Sequence, residues 1–173
     1  MSIGFHAHRG DWLLNPKILD QATTALYESK TIDRKHDVPY VAGYSKDGKT
    51  IYVDRELPKF LLYRGRKLDI VRYIVLHEEV EKALLEYIKG LPYQLAHQLA
   101  YHAEEDAVKA DRLPWEVYDG WCKRQVRKIG ARDLYSNCPK DLDLTPYTDE
   151  RDVKTLRKMF SEGKPLWKSS SPA

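Results

Sequence analysis

His77, Glu78 and Glu81 stand within five residues of one another, and His97 and Glu104 follow farther along the chain, seven residues apart. Imidazole nitrogens and carboxylate oxygens are the donors that hold zinc and related divalent ions, and two histidines with one carboxylate leave a coordination position for water. A metal held that way lowers the pKa of its water to about 7 and polarises a carbonyl, while a neighbouring carboxylate carries the proton. In this chain His77, Glu81 and His97 are the candidate ligands of a zinc or other divalent ion. Glu104 completes or orients the site, and Glu78 moves the proton.

These groups meet only if two helices bring them together. Residues 69–89 repeat their apolar positions with the period of a helix, with Asp69 as candidate N-cap and Gly90 as the stop. Advancing about 100° per residue puts Arg72, Glu79, Lys82, Glu86 and Lys89 toward solvent and Ile74, Leu84, Leu85 and Ile88 toward the core. His77 and Glu81, four apart, share the core stripe, and Glu78 sits at its edge. A buried carboxylate without compensation costs several kcal/mol, so these groups require a partner, a proton or a metal. Leu91-Pro92 opens a second helix over 92–111, whose Ala96, Ala100, Ala103 and Ala107 form a stripe that lets a neighbouring helix approach closely. His97, Tyr101, Glu104 and Val108 line one edge of that stripe, whereas Gln98, His102, Glu105 and Lys109 turn toward water.

The remaining elements frame this pair. The segment Pro16–Ser29 reads as a helix opened by its proline. Two Tyr/Val-rich runs at 40–44 and 50–54 flank Lys46-Asp47-Gly48-Lys49, an antiparallel hairpin signal, and Phe60–Tyr63 is a third short strand or a connector. A third helix covers 114–129, and Thr148 caps a last one over 149–163. With 173 residues, one globular domain over 1–166 and a disordered tail at 167–173 are expected. The fold class is α+β, a small antiparallel sheet packed on a bundle of three or four helices.

Composition narrows the partners. The formal net charge of +3 gives no electrostatic case for a nucleic-acid partner. Lys123, Arg124, Arg127 and Lys128, near Trp115 and Trp121, therefore read as solvated helix surface. Cys122 and Cys138 match no zinc-finger or redox spacing and read as reduced thiols. The first residues lack the pattern of a signal peptide and no apolar run is long enough to span a bilayer, so a cytoplasmic, soluble protein is expected. His6 and His8 are a weaker metal-binding alternative, and Tyr52 with Asp54 share one strand face that is either ordinary exposed surface or in reach of a substrate.

The stretch Val75-Leu76-His77-Glu78-Glu79-Val80-Glu81 resembles the active-site helix of zincin-type metallopeptidases, whose motif is H-E-x-x-H, with Glu81 in the place of the second histidine. The resemblance covers residues 49–105 and implies that His77 is a ligand and Glu78 the general base. It further implies that the strand at 49–54 binds an extended peptide along its edge. The function expected is a metal-dependent hydrolase that cleaves a peptide or amide bond with a metal-activated water. The alternative is a non-enzymatic interaction protein of a phage or mobile element, in which the His/Glu cluster is a buried hydrogen-bond network that fixes helix pairing.

Overall fold

The computed structural model describes residues 16–145. His6, His8, the helix expected over 149–163 and the tail at 167–173 lie outside the described residues. Helix α1 (Pro16–Ser29) begins at a proline, whose missing N–H costs nothing in a first turn, and buries Thr23. Strand β1 (Thr31–Asp33) follows at once. A 3₁₀ turn at Pro39–Val41 then leads into β2 (Ala42–Tyr44) and, through Lys46-Asp47-Gly48-Lys49, into β3 (Thr50–Val53). Gly48 takes φ 68°, the left-handed conformation that Asp-Gly turns require. The three strands form one sheet in the order β1-β3-β2, with β1 parallel and β2 antiparallel to β3. A separate hairpin pairs β4 (Phe60–Tyr63) with β5 (Arg66–Asp69).

Helices α2 (Val71–Tyr87), α3 (Tyr93–Ala110) and α4 (Trp115–Gly130) complete the described chain. Gly90, at φ 79°, turns the chain between α2 and α3. Helices α2 and α3 pack against each other, and Ala96 and Ala100 of α3 have no exposed surface. The core joins the sheet to the helices through Ile51, Val53, Ile70, Val75, Val108 and Leu113, all fully or almost fully buried.

Several expectations change. The fold is α+β with four helices among the described residues, but the three-stranded sheet is mixed, because the short strand β1 joins it parallel. Tyr40 and Val41, expected in a strand, form the turn with φ of 56° and 79°. Strand β3 lies in the centre of its sheet with both edges paired, so it offers no edge to a peptide. Ile70 precedes α2 as its N-cap residue, although the Asp69 carboxylate still accepts the Val71 N–H at 3.1 Å. Lys82, placed on the solvent side by helical phase, is 8 % exposed, because its stem packs against Gly48 and its Nζ lies 4.8 Å from the centre of the Tyr44 ring. Ile88, placed in the core, is 46 % exposed just past the end of α2. Tyr52 and Asp54 are buried, where Asp54 receives both terminal nitrogens of Arg132 at 2.6 and 2.8 Å. No helix among the described residues is long and apolar enough to cross a membrane.

Candidate metal centre

Helix α2 presents His77 and Glu81 one turn apart to the small-residue face of α3. The close approach of the two backbones brings the His97 imidazole across to both. His77 Nε2 lies 3.1 Å from His97 Nδ1, which lies 2.9 Å from Glu81 Oε2, and His77 Nε2 is 3.7 Å from that same oxygen. Tetrahedral zinc with bonds of about 2.05 Å needs ligand atoms roughly 3.3 Å apart, which falls within this spread. The circle through the three atoms has a radius of about 1.9 Å, so an ion at zinc-to-nitrogen distance from each fits just off their plane. Among the described residues these three form the group that could hold a metal ion.

Glu104 stands behind this trio. Its Oε2 accepts from the far nitrogen of His77, Nδ1, at 3.0 Å, and its Oε1 accepts the Tyr118 hydroxyl at 2.5 Å. That arrangement fixes the ring so that Nε2 faces His97 and Glu81, as carboxylates behind ligating histidines do. The structure thus favours the orienting role for Glu104 over a place among the ligands. Glu104 lies two turns from His97 on α3 and meets the opposite side of the His77 ring.

Burial and charge act on each group differently. Burial opposes a charge on His77, but hydrogen bonds to Glu104 and Glu81 and the charges of Glu104 and Glu78 outweigh it and push its pKa up to about 10. Burial, reinforced by the charge of Glu81, pushes the Glu78 carboxyl up to about 8. For Glu81, burial is outweighed by hydrogen bonds from His77 and His97, which hold its carboxyl below the usual range. The Tyr44 and Tyr93 phenols are kept protonated, first by burial and then by the negative charge of Glu81. The His97 side chain is 50 % exposed, so one corner of the trio opens to solvent, and its ring lies 5.7 Å from that of Tyr93.

The trio opens into a cleft of about 390 Å³. Residues 40–43 form one wall, α2 and α3 the floor, and α4 the far wall with Cys122, Lys123 and Val126. Tyr40 and Val41 hold left-handed backbone conformations here, and for a β-branched residue that is a strained state of the kind that collects at functional sites. Lys123 pairs with Asp119 at 2.6 Å, and Arg124, Arg127 and Lys128 are exposed on α4. His102 is exposed and faces Glu105, away from the trio. Cys122 and Cys138 are free thiols.

Three tyrosines of the site escaped the reading of the sequence. Tyr93 had a signal, since it precedes His97 by four residues on one helix face. Tyr44 and Tyr118 had none, because β2 and α4 bring them in only through tertiary packing. Comparisons with family models, with curated proteins and with solved structures found no match for this chain.

Proposed function

We propose that the protein is a metal-dependent hydrolase, zincin-like in its chemistry, that cleaves a peptide or amide bond with zinc held by His77, Glu81 and His97. The observation that carries this reading is the triangle of their donor atoms, with sides of 2.9, 3.1 and 3.7 Å and a carboxylate behind the buried histidine. Zinc held by these three residues would polarise a scissile carbonyl and lower the pKa of a bound water.

The chain's own residues supply the rest. Glu78 lines the cleft next to His77, where its carboxyl is placed to exchange a proton with a water in the cleft. It takes the proton of the attacking water and delivers it to the departing amine. Glu104 holds the His77 ring by accepting its Nδ1 proton, and Tyr118 holds Glu104. Val41, Ala42, Ile74 and Val126 give the cleft apolar walls beside the half-exposed His97.

The rival, a non-enzymatic interaction protein with a buried His/Glu network, draws on the same contacts, since His77, Glu81 and Glu104 each have hydrogen-bonded partners. Hydrolysis of small amides by the zinc-loaded protein separates the two. The proposal expects turnover that chelation abolishes, and a loss of about 10²–10⁴-fold in Glu78→Gln with zinc content unchanged. Turnover that survives chelation, or a Glu78→Gln protein as active as the parent, contradicts it.

A further inference from the structure

We propose that the substrate is a small amide bearing one apolar group, about the size of a capped amino acid or a dipeptide, and that an extended polypeptide is not the substrate. This rests on the hydrolase reading above and adds to it the size and polarity of what is cleaved.

An extended peptide is held by pairing along a strand edge, with main-chain hydrogen bonds at every second residue. The edge nearest the His/Glu trio belongs to β2, since residues 40–43 form a wall of the cleft and β3 is enclosed. In β2 the carbonyl of Val41 accepts from Asp54 and the N–H of Ser45 donates to Thr50, both on the β3 side. Ala42 and Tyr44 alternate with these and turn their N–H and C=O groups outward.

That outer edge is short at both ends. The Tyr44 carbonyl accepts the Asp143 N–H at 2.9 Å, the Lys46 N–H donates to the Asp141 carbonyl at 2.8 Å, and Ser45 bridges Leu142. The segment over 141–143 therefore occupies the edge on one side. On the other, Tyr40 and Val41 leave extended geometry at φ 56° and 79°, and α4 packs against this turn. Between the two stops Ala42 alone presents both an outward N–H and an outward C=O, one pair of hydrogen bonds, with the Tyr44 N–H beside it and the Tyr44 carbonyl already taken. A ladder for several residues of peptide needs about 3.3 Å of free strand for each.

The cleft beside Ala42 supplies the selectivity instead. Its volume of about 390 Å³ lies near the lower end of small-ligand sites, which run from about 300 to 1,000 Å³. Val41, Ile74, Cys122 and Val126 give it an apolar lining, with the half-exposed His97 at the trio's solvent corner. A substrate that seats an apolar group there and offers its amide to the trio uses the single hydrogen-bond pair at Ala42 as its main-chain anchor.

Hydroxamates carry their own zinc-binding group, so calorimetry with the zinc-loaded protein reads affinity without turnover. The compounds are acetohydroxamate, 3-phenylpropanohydroxamate, and a five-residue peptide hydroxamate bearing the same phenyl group, with zinc content measured alongside. The phenyl compound is expected to bind about tenfold tighter than acetohydroxamate, as burial of one ring warrants. The peptide is expected to bind no tighter than the phenyl compound. Val126→Trp, or Val126→Phe as the milder filling, is expected to remove the tenfold gain of the phenyl compound over acetohydroxamate. A peptide that binds about tenfold tighter than the phenyl compound, or a phenyl gain that survives both fillings, overturns the inference while the hydrolase reading stands. Acetohydroxamate that fails to bind protein carrying zinc overturns both.

Discussion

Glu78 and Glu81 are three residues apart on one helix, yet their carboxyls are displaced in opposite directions. Glu78 is half-buried, and desolvation with the charge of Glu81 beside it outweighs the opposing charge of His77, so its pKa rises to about 8. Glu81 meets two imidazoles, and its pKa falls despite burial. The same shifts set the pH dependence of the metal-free fold. His77, raised from 6.5 to about 10, contributes stability that is complete below pH 6.5 and is lost as pH climbs toward 10. Glu78, raised from 4.5 to about 8, acts in the same sense, because ionising it in the folded state becomes a penalty above pH 4.5. The melting temperature of chelator-treated protein is therefore expected to fall between pH 6 and pH 10, and His77→Gln to flatten that fall; a melting temperature that rises over this range contradicts the assignment. Tyr118 acts at one remove through Glu104. Tyr118→Phe keeps the buried ring and is expected to weaken zinc binding about 10- to 100-fold, measured by competition with a chromogenic chelator. Unchanged affinity would mean that Glu104 needs no anchor.

At the scale of elements, periodicity located α1, α2, α3 and α4 to within a residue or two, since each carries an apolar stripe and a proline or glycine at a boundary. The shorter elements were less legible. Strand β1 has three residues and no period to read, and β5 begins with Arg66 and Lys67, whose charges hide a pairing decided by the turn at Arg64 and Gly65. Lys82 shows why helical phase alone misplaces residues, because a long aliphatic stem is buried as readily as leucine when its ammonium finds Glu86 at 2.8 Å. The buried Asp37 and Asp54 gave no warning either, since their partner Arg132 lies far along the chain. Arg132 joins the segment after α4 to the sheet by both carboxylates. Arg132→Ala leaves those charges buried and short of a partner, so a loss of about 3–5 kcal/mol is expected in urea unfolding. A loss below 1 kcal/mol would show that Arg55, which also reaches Asp37, compensates.

For the whole molecule, the α+β class and the meeting of His77, Glu81 and His97 followed from the sequence, because spacing on two helices is enough to bring three side chains to one point. The cleft did not, because four non-adjacent parts of the chain build its walls. Glu104 was legible as a member of the cluster but its position behind His77 depends on how far one helix is displaced along the other, which spacing does not encode. The account as a whole stands on one ion bound per chain by these donors. Zinc retained after stripping and reconstitution, measured by elemental mass spectrometry on the parent protein, His77→Ala and His97→Ala, tests this directly. One equivalent in the parent and little in either variant is the predicted result; no retained zinc in the parent, or a full equivalent in both variants, would contradict it.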